Sequence, residues 1–143
     1  MNILFFLTPK SEVEYIDGDA SLLETVRKMC EKGYSAIPII GKSGEYIGTI
    51  QSGDILAFIN NNLDLSLTGA EKIQLSDIKR TRDNIAISIN SRMEDIVEKI
   101  LNQNFVPVID DCDKFIGIIT RKDVIKYLCE NTEKMERRSQ IDD

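Results

Sequence analysis

One short unit occurs twice in this chain. Ile37-Pro38-Ile39-Ile40 is followed by Tyr46-Ile47-Gly48-Thr49-Ile50 and then Asp54. Val106-Pro107-Val108-Ile109 is followed by Phe115-Ile116-Gly117-Ile118-Ile119 and then Asp123. Pro38 and Pro107, Gly48 and Gly117, and Asp54 and Asp123 all share an offset of 69 residues. A repeat constrains a fold strongly, because each copy is one supersecondary unit that cannot bury its apolar face alone. Two such units pack against each other, and ligands often sit in the seam between similar halves.

The pattern within each copy is the same. In the first, Val13-Glu14-Tyr15-Ile16 alternates loosely and predicts a short strand. Asp17-Gly18-Asp19 reads as a turn. Ser21 with Glu24 predicts a capping box, and Leu22, Leu23, Val26, Met29 and Cys30 follow helical spacing up to Gly33. Ala36 to Ile40 is an apolar, β-branched run and predicts a buried strand. Gly41-Lys42-Ser43-Gly44 makes a hairpin turn into a strand from Tyr46 to Ile50. Ser52-Gly53-Asp54 opens a second helix. The second copy predicts a strand over 85–89, a capping box from Ser91 and Glu94, and a helix carrying Met93, Ile96, Val97, Ile100 and Leu101. Strands over 105–109 and 115–119 follow, and Asp123 opens the last helix. Across the first helices the offset is 70 (Ser21/Ser91, Val26/Ile96), so the second copy is one residue shorter in the turn that follows.

Each unit is therefore strand-helix-strand-strand-helix, an α/β (α+β) arrangement in which two repeats form a pseudo-two-fold pair. Residues 1–62 read as an N-terminal arm and the first repeat, 63–79 as a structured crossover, 80–131 as the second repeat, and 132–143 as a charged tail. That tail reads as a frayed helix end or as disorder.

Composition narrows the function. The formal net charge of −6 argues against general nucleic-acid binding. No apolar run is long enough to span a bilayer, and the apolar start is stopped by Thr8-Pro9-Lys10, which makes a packed arm a better reading than a signal peptide. Three cysteines without metal or redox spacing fit reduced thiols in a cytoplasm, where they read as small core fillers. There is no histidine, so Ser-His and Cys-His catalysis are excluded within the chain, and no metal-ligand spacing is present. No nucleophile-base pair or phosphate-cradling glycine loop of the Walker kind is present either. The reading is of a non-enzyme that requires no cofactor.

Gly117-Ile118-Ile119-Thr120-Arg121-Lys122-Asp123, preceded by the strand containing Pro107, resembles the signature of the CBS (cystathionine β-synthase) domain family. The first copy, Gly48-Thr49-Ile50-Gln51-Ser52-Gly53-Asp54, keeps the Gly and the Asp but has Gln51 where Thr is usual. The resemblance covers roughly residues 8–130. The whole is similar to free-standing bacterial CBS pairs that bind adenine nucleotides or cyclic-di-AMP.

The resemblance implies a regulatory ligand, an adenine nucleotide, held between the repeats. The first pocket would draw on Thr120, Arg121, Lys122 and Asp123 of the second repeat. Opposite them would lie Lys10, Val13, Tyr34, Ser35, Ala36 and Ile37 of the first. A strand-to-helix turn offers N–H groups and a positive dipole end to phosphate, and an Asp carboxylate can accept from ribose hydroxyls. A weaker second pocket would use Gln51 and Asp54 against Ile85, Phe105 and Val106, where the Thr is missing and bulky Phe105 stands in the place of Ala36. Thr120 and Asp123 equally fit a plain helix cap. The implied partners are the nucleotide, a second copy in a homodimer, and an unknown effector protein, with no nucleic acid and no membrane. Two other readings stay open: a ligand-free dimerisation or docking module, and a tandem ACT-type amino-acid sensor. The ACT unit needs a strand after its second helix, which neither copy clearly supplies.

Overall fold

The computed structural model describes residues 2–142. A 3-10 turn over Ile3–Phe6 leads into β1 (Thr8–Pro9), and a second over Lys10–Glu12 precedes β2 (Ile16–Asp17). The first repeat continues with α1 (Leu22–Lys32), β3 (Ala36–Ile40), β4 (Tyr46–Gln51) and α2 (Ser52–Asn60). The crossover holds α3 (Leu67–Lys72) and a 3-10 turn over Leu75–Asp77. The second repeat is β5 (Ile87–Ser88), α4 (Met93–Ile100), β6 (Phe105–Ile109), β7 (Phe115–Thr120) and α5 (Arg121–Asp142).

The two repeats share one topology. β2 runs parallel to β3, which forms an antiparallel hairpin with β4; β5, β6 and β7 repeat this order. Ile39 faces Gly48 in the first hairpin and Val108 faces Gly117 in the second, each just before the same irregularity in register. Identical registers follow from the identical spacing of Pro, Gly and Asp. The last helix extends through Asp142, so the charged tail is helical over its described part.

Both leading strands are shorter than their alternating patterns suggest. β2 pairs with β3 only at Ile16–Ile39 and Asp17–Ile40. Residues 13–15 have no ladder partner, and the chain parts from β3 there. Capping also departs in detail. Ser21 caps α1 as expected, its hydroxyl accepting from the Glu24 N–H at 3.1 Å. In α4 the cap moves one residue on, to Arg92, whose N–H donates to the Asp95 carboxylate at 3.0 Å, so Ser91 and Glu94 form no box. The three cysteines are all exposed and fill no core: α1 buries the face of Leu22, Thr25 and Met29, which leaves Cys30 outside it.

Each repeat owns one core, and each core borrows from outside its repeat. Ile16, Leu22, Met29, Ile37, Ile39 and Ile50 form the first, together with Leu75 and Ile78 of the crossover. Ile96, Ile100, Val106, Val108, Ile119 and Val124 form the second, together with Ile3 and Phe6 of the arm. The arm therefore belongs in space to the second repeat, and β1 extends that sheet by pairing with β7. A buried pair three residues apart, on a 3-10 turn or at its end, does the same work in both places. This exchange ties the halves together without a large linker.

Candidate functional site

Two clefts lie side by side at the seam, sharing Ser35, Ala36 and Asn104. Ser35 and Asn104 are counterparts at the repeat offset, so the pair of clefts straddles the pseudo-two-fold axis.

The first cleft has a volume of about 290 Å³. It opens where β2 parts from β3. Val13 and Glu14 form one wall, Tyr34 to Pro38 another, and Thr8, Ile118 and Thr120 of the β1–β7 edge the third. Six of the residues expected here from sequence meet in it: Val13, Tyr34, Ser35, Ala36, Ile37 and Thr120. Four do not line it. Lys10 lies 5.3 Å over the Tyr15 ring. Arg121 and Lys122 border an adjoining hollow that shares Asn104 and Thr120 with the cleft. Asp123 borders another hollow, beside Phe6 and Tyr127, that shares Thr8. The reason is helical geometry: once α5 begins, successive side chains turn away by about 100° each.

The local bonding explains some of these positions. The Thr120 hydroxyl accepts from the Asp123 N–H at 3.2 Å, a cap for α5. Arg121 is committed to the fold, since its Nε donates to the Ile100 carbonyl at 2.8 Å. The Asp123 carboxylate accepts no hydrogen bond and makes no ion pair among the described residues. Glu14 pairs with Lys28 and Lys32 at 3.8 and 3.7 Å. Glu12, beside it, is exposed at the cleft wall. The cleft thus has Glu12 and the lysine-paired Glu14 at one end and carries the N-terminal, positive end of a 22-residue helix at the other.

The second cleft, about 260 Å³, is lined by polar groups: Gln51, Ser52, Thr81, Arg82, Asn84, Asn102 and Gln103 besides the shared residues. Of the five residues expected in it, only Gln51 is present. Ile85 is an exposed side chain away from it, Val106 is sealed in the second core, and Phe105 lines the first cleft instead. Asp54 is buried behind it. Its carboxylate accepts from the Gln51 N–H at 3.0 Å and from the Thr81 N–H and hydroxyl at 3.0 and 2.5 Å.

Nearby, Asp83 accepts from the Thr49 N–H and from Arg80 Nε, at 2.9 and 2.8 Å. Burial by itself would raise the Asp83 carboxyl. The Arg80 hydrogen bond, the Thr49 N–H and the Arg80 charge outweigh it and hold the carboxyl below the usual range. Tyr46 donates to the Asn84 carbonyl at 2.7 Å, and burial pushes its phenol up to about 12.

Sequence reasoning missed Thr8 and Asn104 of the first cleft. Asn104 was detectable as the counterpart of Ser35 at the repeat offset. Thr8 was not, because only the exchanged arm brings it there. Among the described residues no group of side chains is arranged to hold a metal ion, and no helix is long and apolar enough to cross a membrane.

Comparison with known proteins fits this geometry. The CBS domain pattern matches residues 7–61 and again residues 75–130. The uncharacterized protein MJ1232 of Methanocaldococcus jannaschii is 32% identical over 120 residues, covering 82% of this chain and 36% of that protein. MJ1426 of the same organism is 28% identical over 147 residues, covering 83% of this chain and 86% of its own length. The chain thus spans about a third of the first relative and most of the second. Among solved structures, CbpB in complex with c-di-AMP superposes with a TM-score of 0.83 at 24% identity, covering 96% of this chain and 91% of that one. CBSX2 of Arabidopsis thaliana, in complex with AMP, gives 0.68 at 21% identity, with 92% and 98% covered. These two likenesses speak for the fold. With two family matches in tandem, each falling on a repeat of the same topology, the chain belongs to the CBS domain family.

Proposed function

We propose that this chain is a non-catalytic regulatory module that binds an adenine nucleotide, AMP, ADP, ATP or cyclic-di-AMP, in the first cleft and signals the binding to a partner protein. The observation that carries this reading is the cleft itself. It joins the apolar, small-residue wall of Val13, Ala36 and Ile37 to Thr120 at the start of α5. An adenine ring fits against Ala36 and Ile37, where backbone groups at a parted strand are free to read its edge. Phosphate belongs at the Thr120 end, near Arg121 and Lys122, because the helix dipole favours an anion there. Asp123, in the hollow that shares Thr8 with the cleft, has no partner among the described residues and is free to accept from a ribose hydroxyl.

The signal is read through a homodimer. Leu56 and Ile59 of α2 are exposed, and so are their counterparts Ile125 and Leu128 of α5 at the repeat offset. Equivalent apolar pairs on both repeats make a face that is complementary to itself, which a two-fold dimer requires. The three exposed thiols suit a reducing, cytoplasmic setting.

Thermal unfolding of the full chain in the presence of each of the four nucleotides tests the ligand. At least one should raise the midpoint in a concentration-dependent way, by the linkage between binding and folding. Ala36→Phe, which fills the cleft, should abolish the gain, and Asp123→Ala should reduce it. No stabilisation by any of the four would sink the nucleotide reading.

A further inference from the structure

The two clefts descend from one repeat, yet their anchoring groups are in opposite states. Asp123, in a hollow that shares Thr8 with the first cleft, has a carboxylate with no partner among the described residues, whereas its counterpart Asp54 is saturated. The groups that saturate Asp54 come from the end of the crossover. The Thr81 hydroxyl and N–H both donate to Asp54 Oδ1. Two residues on, the Asp83 carboxylate takes the Thr49 N–H on the edge of β4. Gly48 is what lets it come so close: a Cβ there would lie 2.5 Å from Asp83 Oδ1. Arg82 pins the stretch across the cleft by donating to the Asn102 carbonyl at 2.6 Å, and its own carbonyl accepts from Gln51 Nε2 at 3.2 Å.

A hydroxyl on the carboxylate is the chemistry that a nucleotide's ribose would bring to Asp54, and the Asp83 contact holds the stretch that supplies it against β4. We propose that residues 81–83 are a built-in occupant of the second cleft, taking its anchoring groups so that each chain holds one nucleotide. The cleft keeps its space but loses the groups that would grip a ligand. The matching stretch of the first repeat, Lys10 to Glu12 at the offset of the leading strands, makes no such bond to Asp123 among the described residues. The inference rests on the nucleotide reading of the first cleft for its ligand, but the self-occupation is measurable without one.

Amide hydrogen exchange on the full chain gives that measurement. The Thr81 and Thr49 amides should be protected in the wild type, and Asp83→Ala should release Thr49 while leaving the β6 amides protected. Free exchange of both amides in the wild type overturns the proposal, whatever nucleotides do. Equilibrium dialysis with AMP and with cyclic-di-AMP then counts sites. The wild type should bind one equivalent per chain of whichever ligand it takes. Thr81→Ala/Asp83→Ala should gain a second, weaker equivalent. Two equivalents in the wild type, or still one in the double variant with its β4 edge released, overturns the proposal. A wild type that binds neither compound, with Thr81 and Thr49 protected, defeats the nucleotide reading of the first cleft and leaves the self-occupation supported.

Discussion

Gly117 and Gly48 occupy the same place in the two repeats for a reason that is steric before it is chemical. A Cβ on Gly117 would stand 2.1 Å from the Thr8 carbonyl oxygen and 3.1 Å from the Pro9 Cα, and the backbone there has φ +154°, which side chains rarely adopt. The glycine is the gap through which the exchanged arm reaches β7. Gly117→Ala should therefore cost about 2–4 kcal/mol, combining overpacking with backbone strain. Gly53, in the first turn of α2, has open space around its Cβ position, and Gly53→Ala should gain about 0.4–1 kcal/mol by restricting the unfolded chain. Urea unfolding of both variants separates the two cases; equal midpoints would mean that the close approach at Gly117 is relaxed at no cost. The glycine was visible in sequence as a repeated motif position, but its purpose was not, because the atom it makes room for lies more than a hundred residues away along the chain.

At the level of elements, the exchange of 3-10 turns is the feature that most departs from a linear reading of the chain. Residues 1–62 look like one unit because the arm precedes the first repeat directly. Yet Ile3 and Phe6 are buried in the second core, as Leu75 and Ile78 are in the first. The cause is area. Each half-sheet with two helices leaves apolar surface at its open end, and the segment arriving from the other repeat is the nearest cover. Ile3 and Leu75 are both about 1% exposed, so Ile3→Ala and Leu75→Ala should each cost about 2–5 kcal/mol. Ile3→Ala should loosen the amides of β6 and β7 first, and Leu75→Ala those of β3 and β4, read by hydrogen exchange. Loss confined to the mutated residue's own sequence repeat would contradict the exchange. The hairpins and the helices α1 and α4 were legible from spacing. The short leading strands were not, because alternation over 13–16 and 85–89 records which way side chains point and not whether a ladder partner is present.

For the whole molecule, the repeat brings two apolar helix faces to equivalent positions. Leu56 is 66% exposed and its counterpart Ile125 is 48% exposed, which is costly for a chain that works alone. Leu56→Asp together with Ile125→Asp should convert a sedimenting dimer into a monomer with its fold intact, as judged by circular dichroism. A wild type that sediments as a monomer at tens of micromolar would remove the dimer from the proposal. The same symmetry produces the paired clefts, and their linings differ where the repeats depart from it. Those departures were partly readable: Gln51 in the place of Thr120, and Phe105 in the place of Ala36. Their places differ from the expectation, since Phe105 lines the first cleft and Gln51 meets Thr81 and Arg82 in the second.

Residue order alone showed the repeated unit, its hairpins and helices, the absence of histidine chemistry, and half a dozen residues of one cleft. It could do so because periodicity and offset are local properties of the chain. The folded chain was needed to see which segment covers which core, where Lys10, Arg121, Lys122 and Asp123 sit relative to the cleft, and that Asp54 is satisfied from within. Those depend on contacts between residues far apart in the chain, such as Thr81 with Asp54 and Thr8 with Ile118, and no spacing rule encodes the geometry that brings them together.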